Sequence, residues 1–258
     1  IQPLVEDSTL IVSGRCHYRN GDPEHNAVIY DEHGQAIRRM VFGDGIEDVQ
    51  VGLDQRIWVS YFDEGVFGNY GWPSPPMGAD GLLCFDMDGQ IAWRFHAPGG
   101  FDSMADCYAL NVTNDAAWVY YYTDFPVIQV TIDGTVRGWE NEVAGARALV
   151  VDRLRVLLWG GYGEERNRCI VQTIAGEKLV SPQRLNLCLQ VLSRRTHDRR
   201  SEILADAIDT VTDGRFVHRL LFWPDDELEI VITGISIEKQ RQPSREVADD
   251  EKPYIEIT

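Results

Sequence analysis

The chain lacks the features that mark a membrane-spanning or nucleic-acid-binding protein. No apolar run approaches the roughly 18 residues that a membrane-spanning helix needs. Basic residues are also scarce, because 24 Lys and Arg stand against 41 Asp and Glu, for a net charge of −17. A surface with this excess of negative charge repels a phosphate backbone. We therefore expect no membrane segment and no nucleic-acid partner.

Cysteine is infrequent and does not form a disulfide pattern. The chain has five cysteines and no C-x-x-C pair, and an odd number does not suit a disulfide framework. They lie in or beside apolar stretches: Cys16, Cys84, Cys107, Cys169 and Cys188. We predict buried free thiols in a reducing compartment. No basic start followed by an apolar segment marks a signal peptide, so the sequence favours a cytoplasmic protein.

The short motifs of familiar catalytic mechanisms are also missing. The chain has no G-x-S-x-G turn, no G-x-x-x-x-G-K-S/T phosphate loop, no G-x-G-x-x-G turn and no H-E-x-x-H helix. These absences remove the simple identifications of an enzyme. They leave open a site that is assembled from residues far apart in the sequence.

One order of strands and turns occurs three times, with a partial copy at the start of the chain. Each copy has an apolar strand, a turn, a strand rich in Trp and Tyr, a loop, another apolar strand, a Gly-containing turn and a fourth strand. The turn-to-Trp distance is the same from Asp54 to Trp58 as from Asn114 to Trp118. The turns before the fourth strands fall at Gly34, Gly89, Gly134 and Gly176. The period is therefore ~40 to 55 residues.

Four-stranded units of this period are typical of β-propeller blades, which bury their apolar faces by packing on their neighbours. We predict an all-β protein of four-stranded antiparallel blades, about five in number, with the fifth made from the chain ends. A sandwich of consecutive meanders is the structural alternative.

Residues 8–185 resemble β-propellers of the NHL and SMP-30-like kind, in which D-G-x-I-W-V turns recur. The matching segment is Asp54–Val59, with Gln55 where Gly is usual. The resemblance is to a style of repeat and implies a propeller fold rather than one chemistry. No G-H or W-D dipeptide occurs, which argues against a WD40 protein in the narrow sense.

The repeat pattern stops near residue 187, so we predict a propeller region at 1–187 and a C-terminal segment at 188–258. A charged stretch at 193–200 reads as a linker. Asp213-Gly214 and Pro224-Asp225 are strong turn signals between apolar runs. They predict a small β-meander that docks on the propeller or closes its ring, followed by a polar tail.

The first candidate site is the mouth of the central channel. Aligning the copies by their Trp residues places Asp48, Tyr108 and Arg147 at equivalent positions near the start of each innermost strand. Glu47 and Asp106 lie beside them and make the mouth acidic. The carboxylates of Glu47, Asp48 and Asp106 are candidate ligands for a divalent cation, an arrangement that resembles SMP-30-like lactonases. A polar lining without catalysis is the alternative, since Tyr and Arg are poor metal ligands.

The second candidate site is a long insertion at residues 62–78, which is rich in Gly, Pro and aromatic residues. Phe67, Tyr70 and Trp72 are its candidate contact residues, because aromatic side chains on loops of a rigid scaffold suit recognition. The alternative is a loop that packs its aromatic side chains against the propeller rim.

These patterns predict a module that binds a small molecule or a protein partner through loops on one face. The alternative is a metal-assisted hydrolase or lyase, lactonase-like, with a carboxylate site and a divalent cation at the channel. A third hypothesis is a structural subunit whose C-terminal segment binds a partner by strand addition.

Overall fold

The computed structural model describes residues 1–152, 154–185, 211–212 and 215–216. Sheet 1 contains β1 (Gln2–Pro3), β2 (Thr9–Val12), β5 (Ala27–Tyr30) and β6 (Ala36–Met40), with an inserted hairpin of β3 (Tyr18–Arg19) and β4 (Asp22–Pro23). Sheet 2 contains β7 (Ile46–Val51), β8 (Ile57–Tyr61), β9 (Leu82–Phe85) and β10 (Ile91–Arg94). Sheet 3 contains β11 (Asp106–Val112), β12 (Ala116–Tyr122), β13 (Val127–Thr131) and β14 (Val136–Trp139). Sheet 4 contains β15 (Ala148–Asp152), β16 (Arg155–Trp159), β17 (Cys169–Ala175) and β18 (Lys178–Leu185).

Each of these four sheets is an antiparallel meander whose first strand is innermost. The inner strand β11 contacts both β7 and β15, and β1 contacts β7. Four-stranded meanders arranged side by side along their first strands are consecutive blades of a β-propeller. The predicted fold class is confirmed. Helical structure in the described residues is limited to α1 (Asp63–Phe67) and a 3-10 turn at Gly163–Asn167.

The predicted domain boundary near 187 and most of the C-terminal segment lie outside the described residues. Within that segment the structure describes β19 (Val211–Thr212) and β20 (Arg215–Phe216), which pair antiparallel on either side of positions 213 and 214. The predicted fifth blade, the rest of the meander and the closure of the ring stay predictions.

The burial of each strand follows from its place in the blade. The second strands β8 and β12 are buried on both faces, because each lies in the middle of a sheet between two neighbouring blades. They accordingly read as unbroken apolar and aromatic runs. The outer strand β10 alternates half-buried and exposed residues, since one of its faces meets solvent.

The apolar cores lie between neighbouring sheets. Trp58 packs in the core between sheets 2 and 3, with its ring centroid 5.7 Å from that of Trp93. Trp118 takes the same place between sheets 3 and 4, where it stacks on Trp139 at 5.4 Å. The repeated Trp therefore joins sheet 2 to sheet 3 and sheet 3 to sheet 4.

Two buried side-chain amides join the inner strands, which no backbone ladder connects. Gln50 pairs with Trp58 in its own sheet and donates its amide to the Leu110 carbonyl on β11 at 2.8 Å, while its oxygen accepts the Val112 N–H at 2.8 Å. Asn111, which pairs with Trp118, donates to the Leu149 carbonyl on β15 at 2.9 Å. We call Gln50 and Asn111 the stapling amides.

The four cysteines in the described residues are buried free thiols, and Cys188 lies outside that part of the chain. Burial raises the pKa of Cys16 to about 11 and that of Cys84 to about 12. These groups therefore stay protonated and unreactive at neutral pH. None of the helices in the described part of the chain has the length and apolar character of a membrane span.

The substitution Gln50→Ala should destabilise the fold by about 2–3 kcal/mol, because it leaves a buried carbonyl and a buried N–H on β11 without partners. Urea denaturation measures the change. The control Gln90→Ala removes an exposed glutamine at a turn and should change the free energy of unfolding by less than about 0.5 kcal/mol. Equal effects of the two variants would contradict a role of Gln50 in joining the blades.

Candidate functional site

The connections at the two ends of the blades differ strongly in length. Because the strands are antiparallel, the second-to-third and fourth-to-first connections all lie at one end of the blades, which we call the loop face. It comprises residues 13–26, 41–45, 62–81, 95–105, 123–126, 140–147 and 160–168. The opposite end carries short turns, among them 31–35, 52–56, 86–90 and 132–135. Both predicted sites lie at the loop face, since the inner strands start there.

The strand register corrects the predicted alignment of the channel mouth by one residue. Glu47, and not Asp48, is level with Tyr108, because each lies three positions before the stapling amide of its strand. Gln50 pairs with a Trp eight positions later, whereas Asn111 pairs with a Trp seven positions later, and this difference displaced the alignment by Trp. Both Glu47 and Tyr108 are the extra residue of a β-bulge, a feature that re-aims side chains at sheet rims.

Arg147 also lies at the mouth, directly before β15. Its backbone N–H donates to the Trp159 carbonyl at 2.7 Å, and its side chain is exposed. Asp48 is half-buried and accepts the side-chain amide of Gln50 at 2.9 Å, so part of its hydrogen-bonding capacity supports the blade contact.

The carboxyl group of Asp106 is the strongly perturbed acid of the mouth. It is half-buried at the start of β11, and α1 packs against this strand. Burial, and then the negative charge of Asp63 on α1, raises the pKa of Asp106 to about 6. The described residues contain no group of three or more His, Cys, Asp or Glu arranged to hold a metal ion, so Glu47, Asp48 and Asp106 do not form one.

The aromatic insertion divides into packed and exposed side chains. The indole N–H of Trp72 donates to the Cys16 carbonyl at 2.7 Å, and the ring of Tyr70 meets that of His17 edge to face at 4.4 Å. Phe67, at the end of α1, is exposed. Trp72 and Tyr70 thus contact the connection 13–26, although Tyr70 stays partly exposed, and Phe67 faces solvent.

A single arginine fixes the insertion to its neighbours. Arg15 lies 3.0 Å from the buried carboxylate of Asp44, donates to Glu64 on α1, and stacks its guanidinium 4.1 Å from the ring centroid of Tyr70. Asp44 also accepts the backbone N–H of Cys16 at 2.8 Å. The charge network therefore connects the connections 13–26, 41–45 and 62–81 at the loop face.

Three aromatic rings come together beside the mouth, and we call Tyr108, Phe125 and Tyr162 the aromatic corner. The ring centroids of Tyr108 and Phe125 are 5.4 Å apart at an interplanar angle of 85°. Tyr162 lies 6.4 Å from Tyr108 at 83°, and 6.3 Å from Phe125 at 67°. The hydroxyls of Tyr108 and Tyr162 share a hydrogen bond of 2.7 Å.

The connection 140–147 packs against the aromatic corner and against Tyr120 beside it. The Tyr120 hydroxyl donates to the Val143 carbonyl at 2.6 Å and accepts the Ala146 N–H at 3.2 Å. Gly145 lies between them at φ +71°, and a Cβ there would come within 2.6 Å of the Tyr162 ring. Glycine at this position thus provides both the turn and the space for Tyr162.

Sequence reasoning identified Tyr108 but missed Phe125 and Tyr162. The signals were present: Phe125 stands in a Thr-Asp-Phe-Pro turn, and Tyr162 is flanked by glycines. Neither residue belongs to the repeat pattern, and only the tertiary fold brings both of them against β11.

A cleft of about 390 Å³ opens between the connections 95–105, 123–126 and 140–147. Phe101 and Leu179 form part of its wall. Its carboxylates are Asp102, Asp124, Glu140 and Glu142. Lys178 also lines it and lies 2.7 Å from Glu140. The cleft is therefore acidic, and it shares the connection 123–126 with the aromatic corner.

Comparison with known proteins gives a limited family match. The model of the YxzG family matches residues 82–156, which run from β9 to the start of β16. No curated protein matches the chain in sequence.

Several solved structures are similar in fold. Hydrazine synthase of Kuenenia stuttgartiensis has a TM-score of 0.45 and 12% identity, over 62% of this chain and 43% of that one. A catalytically inactive virginiamycin B lyase from Staphylococcus aureus with quinupristin has a TM-score of 0.41 and 10% identity, over 67% and 59%. PQQ-bound aldose sugar dehydrogenase from Streptomyces coelicolor has a TM-score of 0.39 and 15% identity, over 70% and 63%.

The chain spans about half the length of the first two of these proteins. The narrower resemblance to NHL and SMP-30-like propellers stays a prediction.

Replacing Arg15 by Met should destabilise the protein by about 2–3 kcal/mol, because the buried Asp44 carboxylate loses its cation. Backbone amides of 62–78 should exchange hydrogen faster, since the insertion loses its anchor. Hydrogen exchange and urea denaturation measure the two effects. The control Arg155→Met breaks an exposed pair with Asp152 and should change neither; unchanged exchange at 62–78 in Arg15→Met would refute the anchoring role.

The variant Asp106→Asn should be more stable than the wild type at pH 7 and nearly equal to it at pH 4. The folded pKa of Asp106, about 6, lies above the ordinary value, so the native state binds more protons and wild-type stability falls as pH rises through this window. Solvent screening of a half-buried group limits the difference to about 1 kcal/mol. Urea denaturation across pH measures it, with Asp22→Asn on the exposed hairpin as the control.

Proposed function

We propose that this chain is a binding module that holds a small organic molecule at its loop face. The observation that carries the proposal is a difference between the two ends of the blades. Among the described residues, the large exposed apolar side chains in the loop face or directly beside it are aromatic, namely Phe67, Tyr70, Tyr122 and Tyr162. Those at the turns of the opposite end are aliphatic, among them Leu53, Ile132 and Leu154. Aromatic side chains dominate recognition sites, because they offer a large contact area and lose little conformational entropy.

The scaffold beneath these side chains suits a preformed site. Tyr108 projects from a bulge of an inner strand, and the stapling amides hold that strand to both neighbouring blades. A ligand that binds such a surface does not have to order it first, which reduces the entropic cost of binding.

The cleft at the loop face has the volume of a small-molecule site. The cleft volume of about 390 Å³ falls within the ~300 to 1,000 Å³ of small-molecule sites. Its mixture of apolar wall and carboxylates would orient a ligand. The predicted metal-assisted hydrolysis has less support, since the described carboxylates form no metal-binding group.

The test is a thermal-shift screen of the full chain against amines, carboxylates and sugars. A ligand at 100 times its Kd stabilises a protein by about 2.7 kcal/mol, which raises Tm by several degrees. Each stabilising compound is retested on the loop-face variants Phe67→Ala and Tyr122→Ala, and on the opposite-end controls Leu53→Ala and Leu154→Ala. We expect at least one compound whose Tm shift falls in a loop-face variant and persists in both controls.

Two results would count against the proposal. One is a screen without stabilising compounds, and the other is a set of compounds that the opposite-end variants abolish. Stabilising compounds are also analysed for chemical change, because Asp106 has a pKa suited to proton transfer near neutral pH. Turnover that Asp106→Asn removes would make the module an acid–base enzyme.

A further inference from the structure

The aromatic corner has the geometry of a receptor for a compact cation. Its three rings are pairwise close to perpendicular, and their centroids are 5.4–6.4 Å apart. The contacts between them are edge to face, and Tyr162 is the most exposed of the three rings. Cation–π attraction operates within about 6 Å of a ring centroid. A cation that sits against the exposed Tyr162 ring can therefore lie within reach of more than one ring, whereas a flat sugar ring would need one open platform.

Two of the basic side chains near the corner, Arg168 and Lys178, are engaged elsewhere. The cation–π contacts of the described residues are made by Arg15 in the other half of the loop face. Arg168 donates its guanidinium to the backbone carbonyls of Ala144 and Gly160, and Lys178 pairs with Glu140. Arg147 is the remaining basic residue here, and its charge acts on Tyr108.

The surrounding charge favours a positive ligand. The Asp106 carboxylate acts electrostatically on Tyr108, and Asp124 directly precedes Phe125. The adjoining cleft adds further carboxylates, and the whole chain carries a net charge of −17. Arg147 is the opposing charge, but its side chain is exposed at the rim. An anion would meet mainly repulsion here, and a cation mainly attraction.

The backbone is strained in order to place Phe125. Asp124 and Phe125 have φ of 62° and 55°, a left-handed conformation that is unusual for a bulky side chain. The Asn141 side-chain amide donates to the Phe125 carbonyl at 3.1 Å and helps to hold this turn. Such strain concentrates at functional sites, where a fixed geometry is needed.

We propose that the aromatic corner binds the ammonium group of a small organic cation, and that methylated amines fit it best. This inference rests on the proposed function and names its ligand class. The rest of the molecule would extend toward the acidic cleft, which begins on the same connection, at Thr123 and Asp124.

The experiment is isothermal titration of the full chain with choline, and with 3,3-dimethyl-1-butanol as its neutral counterpart of the same shape. We expect choline to bind at least tenfold more tightly than the alcohol. Tyr162→Ala should weaken choline binding by roughly 3- to 10-fold, because one ring is lost. Tyr162→Phe keeps the ring and should bind within about twofold of the wild type. Leu53→Ala, at the opposite end, controls for general effects of mutation.

The outcomes separate this inference from the proposed function. Equal binding of choline and the alcohol would overturn the inference, since it would indicate apolar docking without a cation. Loss of binding in Tyr162→Phe would also overturn it, because hydroxyl hydrogen bonds would then be responsible. Absence of choline binding, while other compounds still depend on the loop face, would refute the ligand class and leave the proposed function standing. Thermal denaturation confirms that each variant is folded.

Discussion

The fold depends on hydrogen bonds to the backbone carbonyl and N–H groups of the inner strands. Neighbouring inner strands of the described sheets form no backbone ladder with each other, so side chains make these bonds. Strands of different blades lie side by side at the centre of the propeller, so their carbonyl and N–H groups would be buried without partners. Gln50 and Asn111 resolve this by bonding to the backbone of the next inner strand. An unsatisfied buried polar group costs about 1–3 kcal/mol, so each of these hydrogen bonds stabilises the contact between two blades.

The inner strands also contribute to the candidate site. Both β7 and β11 contain a bulge near the loop face. The bulges bring Glu47 and Tyr108 to the mouth. The connections of neighbouring blades then meet above them and supply α1, Phe125 and Tyr162. The proposed recognition site would therefore combine residues of three blades.

Charge and aromatic surface act together in this arrangement. The Arg15 network uses its charges to hold the insertion 62–78 in place, whereas Asp106 and Asp124 lie near the partly exposed rings of the aromatic corner. An acidic surface alone binds cations weakly in water, and rings alone bind many apolar groups. Under our proposal, the combination would favour an organic cation, because such a ligand gains from both.

The sequence by itself determined the architecture, since the spacing of turns, Trp residues and apolar strands is a local property that each blade repeats. It also indicated Tyr108, Arg147 and Asp106, because the starts of inner strands can be located from that spacing. It aligned Asp48 with Tyr108, whereas the strand register aligns Glu47 with Tyr108. The longer turn after β7 that causes this difference cannot be recognised from the repeat pattern. Only the tertiary structure brought Phe125 and Tyr162 against Tyr108, because contacts between connections of different blades depend on packing and have no period in the chain.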